Sequence, residues 1–132
     1  ELKRVLVVED DPDIRAVVQL TLETVGQFDV CICASGAEAL AQAEAFSPQL
    51  IMLDVMMPEM DGPTTLKKLR EKLPDLDVPV AFMTAKVQPQ ELQVYRELGV
   101  VDIVAKPFDP MTLPDRIREI WADKRSTGVS DD

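Results

Sequence analysis

The sequence predicts an α/β domain of the doubly wound class, a five-stranded parallel sheet between two helical layers, built as (βα)₅. Short, nearly continuous apolar runs recur along the chain, as expected of parallel strands buried on both faces. Amphipathic stretches of helical period alternate with them. No linker or internal repeat interrupts the alternation, and right-handed crossovers then close a three-layer sandwich.

Arg4-Val5-Leu6-Val7-Val8 predicts the first strand. Asp11-Pro12-Asp13 opens the first helix with proline just inside it. Ile14, Val17, Val18, Thr21, Leu22 and Val25 follow at helical spacing until Gly26. Phe28 to Cys33 is a weaker second strand. Ser35 caps the second helix, and Glu38 completes a capping box. Leu50-Ile51-Met52-Leu53 is the third strand. Asp61 precedes the third helix, which carries Leu66, Leu69 and Leu73 and ends before Pro74. Val78 to Met83 is the fourth strand. The fourth helix spans Gln88 to Leu98 and is closed by Gly99. Val101 to Ala105 is the fifth strand. Asp109 to Asp123 is the fifth helix, with Pro110 and Pro114 confined near its start. Residues 1–123 are therefore expected to form the domain, and 124–132 a polar, flexible tail.

Composition narrows the function classes. With 132 residues and 46% apolar side chains the chain can bury a core, which excludes disorder for its bulk. A formal charge of −10 and a pI near 4.4 oppose general nucleic-acid binding and docking on anionic membranes. No apolar run approaches the ~20 residues of a membrane span. Glu1-Leu2-Lys3-Arg4 runs straight into a strand, so no secretory leader is expected. The missing initiator Met suggests a processed or excised chain. Cys31 and Cys33 stand two apart with no His to complete a metal site, so they are expected to be reduced thiols in a cytoplasmic protein. With no His, any phosphohistidine chemistry must borrow that residue from another molecule.

In doubly wound folds ligands sit beyond the carboxyl ends of the strands. Strand one ends in Glu9-Asp10-Asp11, strand three in Asp54, strand four in Thr84 and strand five in Lys106. Their recurrence at one edge is the signal. Converging carboxylates repel unless a counter-charge intervenes. An all-oxygen donor set suits Mg²⁺, with Mn²⁺ as an alternative. A carboxylate beside such a metal can attack phosphorus, giving an aspartyl-phosphate. The Lys106 ammonium and the Thr84 hydroxyl can each take a phosphoryl oxygen. Asp11 is read as a helix N-cap.

Val7-Val8-Glu9-Asp10-Asp11-Pro12, Leu53-Asp54-Val55-Met56-Met57-Pro58-Glu59-Met60-Asp61-Gly62, Met83-Thr84-Ala85 and Lys106-Pro107-Phe108 resemble the receiver domain of two-component response regulators, the CheY-like family, from about Lys3 to Asp123. The resemblance implies a flavodoxin-like sheet of order 2-1-3-4-5 and a cis Lys106-Pro107 bond. It implies Asp54 as phosphoacceptor, and Mg²⁺ held by Asp10, by Glu9 mainly through water, by Asp54 and by the Met56 backbone carbonyl. Thr84 and Lys106 become phosphate-binding switch residues. The donor would be a phosphohistidine on a sensor histidine kinase or histidine phosphotransfer protein. The output would be a downstream protein bound by the fifth strand and the fourth and fifth helices, with no direct nucleic-acid binding, no membrane association and no metabolic enzyme activity.

The sequence departs from that pattern at Ile103, where such domains often carry an aromatic ring, so Thr84-to-ring coupling is expected to be muted or rewired. Met56 and Lys86 occupy the positions flanking the phosphoryl group. Met56 offers no amide or acid to orient water, which predicts slow dephosphorylation. Gly62 is expected to serve backbone geometry in a turn, Met56, Met57 and Met60 to pack a loop, and Trp121 to anchor packing. A Mg²⁺ phosphohydrolase would need a proton-transferring acid where Met56 stands. A nucleotide or flavin module would show a Gly- or Ser/Thr-rich loop where Glu9-Asp10-Asp11 stands. The remaining alternative is a phosphorylation-independent interaction domain on the same scaffold.

Overall fold

The computed structural model describes residues 1–85 and 88–130, with side chains as far as 123. The elements are β1 (Arg4–Val8), α1 (Pro12–Thr24), β2 (Asp29–Cys33), α2 (Gly36–Phe46), β3 (Leu50–Asp54), α3 (Gly62–Lys72), β4 (Val80–Thr84), α4 (Pro89–Glu97), β5 (Asp102–Ala105), a 3₁₀ turn (Pro110–Thr112) and α5 (Leu113–Ser130). All four strand pairings are parallel, in the order β2-β1-β3-β4-β5. The chain order reverses at β1 and β3, which is the switch point where such sheets open a crevice.

Strand pleating divides the core in two. Leu6, Val8, Ile51, Leu53, Val80 and Phe82 point to the side covered by α2, α3 and α4, where they meet Ala39, Ala43, Leu66, Leu69 and Tyr95. Val5, Val7, Leu50, Met52, Ala81 and Met83 point to the side covered by α1 and α5, where they meet Val18, Leu22, Leu113, Ile117 and Ile120. Every residue of β3 and β4 is buried, as the continuous apolar runs require. The edge strands β2 and β5 are only partly so. Within the first half-core the Phe82 and Tyr95 rings pack edge to face, centroids 5.1 Å apart, a favoured quadrupole geometry.

The helices begin where the sequence places their caps. Asp11 accepts from the Asp13 and Ile14 N–H groups. Ser35 accepts from the Glu38 N–H, and Glu38 reaches back to the Ala34 N–H. Asp61 accepts from the Thr64 N–H. Gly99 sits at φ +84° and ends the turn after α4, a conformation that favours glycine.

Some expectations are corrected. β4 starts at Val80 rather than Val78, because Pro79 has no N–H for a ladder, although its carbonyl still accepts from Ile51. The fifth helical stretch opens as a 3₁₀ turn, and α5 then continues to Ser130, past the predicted boundary at Asp123. The segment after Asp123 carries no proline, and Lys124 and Arg125 are good helix formers. Of the apolar positions the sequence marks for the first helix, Val17 stays exposed, as does Val25 at the C-cap just past α1, since the sheet covers a narrower stripe than the sequence marks.

The thiols of Cys31 and Cys33 are free. Burial is the main cause that raises both, Cys33 to about 12, so neither is a thiolate nucleophile at neutral pH. Trp121 is half-buried and packs against the α1/α5 half-core. No helix among the described residues is long and apolar enough to cross a membrane.

Candidate functional site

The strand ends converge as topology dictates. Glu9 follows β1, Asp54 closes β3, Thr84 closes β4 and Lys106 follows β5. Glu9, Asp54 and Thr84 are 0%, 3% and 1% exposed, an unusual depth for two carboxylates. One oxygen each from Glu9, Asp10 and Asp54 lies within 4.8 Å of the others. The Lys106 ammonium stands 2.6 Å from Glu9 Oε1 and 3.2 Å from Asp54 Oδ1. One cation therefore faces three carboxylates.

That imbalance sets the electrostatics. Burial, then the neighbouring charge of Glu9, raises the Asp54 carboxyl to about 7, against an opposing pull from Lys106. For Lys106 burial acts downward, but the hydrogen bond to Glu9 and the charge of Asp54 outweigh it, so its pKa is raised and it stays an ammonium. The pocket is over-supplied with anionic oxygen and lacks His and Cys. These donors fit a hard divalent cation such as Mg²⁺, which takes oxygen ligands.

Backbone contacts hold the geometry. The Lys106 N–H donates to the Thr84 carbonyl at 2.9 Å and the Val55 N–H to the Met83 carbonyl at 2.9 Å, extending the ladders past the last paired residues. The Lys106-Pro107 bond is cis. Glu9 Oε2 accepts from the Asp11 N–H at 3.1 Å. Arg15 Nη1 donates to the carbonyls of both Glu9 and Asp10 at 2.9 Å, stapling the loop that presents the acid pair. Sequence reasoning missed Arg15; an arginine in the first turn of a helix reads only as a surface charge.

Gly62 has a more specific role than a turn residue. The left-handed position in its loop belongs to Glu59, at φ +69°. The Gly62 N–H donates to the Val55 carbonyl at 2.9 Å, and a Cβ on Gly62 would stand 2.6 Å from the Asp54 carbonyl oxygen and 2.9 Å from Val55 Cα. Helix α3 thus starts against the backbone of Asp54, and only a residue without Cβ permits it. Gly62→Ala is expected to lower unfolding stability by about 1–3 kcal/mol through overpacking against backbone, read from urea denaturation. A loss under about 0.5 kcal/mol would show that the strand end yields freely.

The remaining predicted residues divide. Met57 is buried in the α2–α4 half-core and Met60 packs toward Gly36, so loop packing accounts for them. Met56 is instead 60% exposed. Ile103 is half-buried against the α2–α4 half-core. The site residues Glu9, Asp10, Asp54 and Lys106 are brought together; Ile103 is not among them. Lys86 lies outside the described residues. Beside Lys106, the residues Ile14, Val17, Ala85, Pro107 and Phe108 line an apolar groove of about 430 Å³.

Comparison with known proteins gives a consistent picture. The family model described as the response regulator receiver domain matches residues 5–118. The alkaline phosphatase synthesis transcriptional regulatory protein PhoP of Bacillus subtilis is 39% identical over 118 residues, 89% of this chain and 48% of that protein. The DNA-binding response regulator MtrA of Mycolicibacterium smegmatis is 35% identical over 116 residues, 88% of this chain and 49% of that protein. The chain spans about half the length of these curated relatives. Among solved structures, the chemotaxis protein CheY4 of Vibrio cholerae superposes with a TM-score of 0.83 at 32% identity, covering 91% of this chain and 99% of that one. A CheY-like receiver domain protein of Methanospirillum hungatei superposes with a TM-score of 0.81 at 27% identity, covering 96% and 98%.

Proposed function

The chain belongs to the response regulator receiver domain family, whose general role is that of phosphoacceptor in two-component signalling, and on that premise we propose that Asp54 is its phosphoacceptor. The observation that carries the reading is the convergence of buried Glu9 and Asp54 with half-buried Asp10 and Lys106 at the switch point of the sheet. An Asp54 oxygen attacks the phosphorus of a donor phosphohistidine. A P–O bond forms, the P–N bond breaks, and its electron pair leaves on the imidazole nitrogen, which takes up a proton. Asp10, Asp54 and the Met56 backbone carbonyl, with Glu9 through water, would hold Mg²⁺ or Mn²⁺, and that cation would supply neutralising charge for the transferring oxygens. Lys106 meets one phosphoryl oxygen as a point charge, and the Thr84 hydroxyl donates to another.

The donor is a sensor histidine kinase or a histidine phosphotransfer protein, in keeping with a chain that has no His. The apolar groove beside Lys106 suits its docking, because it lies at the mouth of the site. Phosphorylation biases a two-state equilibrium of the α4-β5-α5 face, which then binds a downstream protein. On that face Arg116 ties α5 to β5 through Asp102, at 3.0 Å, and the Ile103 carbonyl, at 3.3 Å. The module is a switch whose own chemistry is limited to self-phosphorylation and slow dephosphorylation, working in the cytoplasm.

Intact mass after incubation with acetyl phosphate tests the reading. The expected result is a gain of one phosphoryl group that requires Mg²⁺ and maps to Asp54 after borohydride trapping. No gain together with no Mg²⁺ binding would leave the phosphorylation-independent interaction domain standing instead. Because exposed Met56 cannot orient water, the adduct is expected to outlast minutes, and Met56→Asn, which adds an amide there, to shorten its lifetime severalfold. Unchanged decay in that variant would place hydrolysis control elsewhere.

A further inference from the structure

We propose that the groove between α3 and the C-cap of α4 at Leu98 docks a short acidic, apolar-anchored segment of a partner protein, a surface distinct from the phosphoacceptor site. Two independent observations point there. The first is charge. Helix α3 carries Lys67, Lys68, Arg70 and Lys72 against Glu71 within 11 residues, in a chain of net charge −10. All four cations are exposed. Among the described residues the ion pairs to carboxylates involve Lys106, Arg116 and Arg118, and none of the α3 cations. Arg70 and Lys72 are held by neutral groups instead, the carbonyls of Leu98 and Leu40. In a chain rich in carboxylates, α3 thus keeps a net positive charge of its own, four cations against one acid.

The second observation is shape. Pro63 and Leu98 give apolar walls to a groove of about 600 Å³ floored by buried Leu66, and Lys67 and Arg70, with Glu71 as the lone acid, line its sides. An amphipathic segment laid into a helix–helix groove seats apolar anchors between the helices and its polar face at the rim. Carboxylates on that segment meet Lys67, Lys68 and Arg70. A nucleic acid suits the groove less well. Its backbone has no apolar anchor, and a long polyanion extends past the roughly 8–10 Å reach of the local patch into the field of the acidic surface. A short acidic peptide remains within that reach.

Arg70 also links the groove to α4, since its guanidinium holds the Leu98 carbonyl at the end of that helix. A carboxylate that engages Arg70 competes for the same donors, so occupancy reaches the amides of Leu98 and Gly99.

Fluorescence anisotropy tests the proposal with a labelled peptide of Glu and Asp bearing two Leu anchors one helical turn apart. Three further probes are the same peptide with Lys for its acids, the same with Ser for its Leu, and a single-stranded oligonucleotide of equal charge. The acidic, Leu-bearing peptide is expected to bind best and to weaken with salt. Lys67→Glu with Lys68→Glu is expected to cost at least about tenfold in affinity, and Lys67→Arg with Lys68→Arg to retain it. Amide shifts at Leu98 and Gly99 are expected on binding. Unchanged acetyl phosphate labelling of both double variants checks that they fold. No binding by the acidic peptide, equal binding by the Ser peptide or the oligonucleotide, or binding untouched by the charge reversal would each overturn the proposal.

Discussion

Asp54→Asn is expected to eliminate the phosphoryl adduct, lowering its yield by a factor on the order of 10³ or more, as loss of a covalent nucleophile does. The amide nitrogen and oxygen of Asn are poor nucleophiles toward phosphorus, while the side chain keeps the volume of the original, so β3 keeps its end. The surrounding acids are ill placed to substitute. Glu9 is fully buried and held by Lys106 and by the Asp11 N–H. Asp10 is the more accessible of the two and is the residue to examine if labelling persists. Mass spectrometry on wild type and variant under one donor concentration decides the matter. A variant that still labels to more than about a tenth of wild type would remove Asp54 from the role.

The second large effect runs opposite to the usual cost of altering an active site. Asp54 is raised from the ordinary 3.8 to about 7, mainly by burial and then by Glu9. In that window the native state holds the proton more tightly than the unfolded chain. The contribution to stability is complete below the ordinary pKa and is lost as pH rises toward about 7. Above that, the metal-free fold carries a buried, poorly compensated charge. Asp54→Asn removes it. The variant is expected to be more stable than wild type by about 1–3 kcal/mol at pH 8 in a chelator, below the ceiling of a full pKa conversion, and to lose the advantage near pH 4. Saturating Mg²⁺ is expected to reverse the ranking, because ligand binding to the native state stabilises only the protein that binds it. Urea denaturation at the two pH values, with and without Mg²⁺, reads all of this. A variant less stable than wild type at pH 8 in chelator would show that the Asp54 charge is well accommodated.

Much of this is legible in the residues themselves. Strands buried on both faces leave unbroken apolar runs, so β1, β3 and β4 were plain, and the polar residue ending each run named the site. The N-caps Asp11, Ser35 and Asp61 were visible because a cap is a local hydrogen bond between neighbours in sequence. Other features depend on parts distant in the chain and leave no periodic trace. Arg15 bonding two carbonyls of the first loop, Arg70 of α3 bonding Leu98, and the Cβ-free approach of Gly62 to the Asp54 backbone are of this kind. The elevated pKa of Asp54 belongs here as well, since it arises from depth and from Glu9, forty-five positions earlier. The ends of elements, such as the continuation of α5 past Asp123, are decided by weak propensities that leave no sharp mark in the sequence.

The pleat of the sheet also bears on how such a domain diversifies. Among the described residues the α1/α5 half-core and the α2–α4 half-core form two separate clusters, one on each face of the sheet. Substitutions on one side are therefore close to additive with those on the other. Helices on one side can be recut without refitting those on the other, and the acid pocket at the strand ends hangs from the backbone that both sides share.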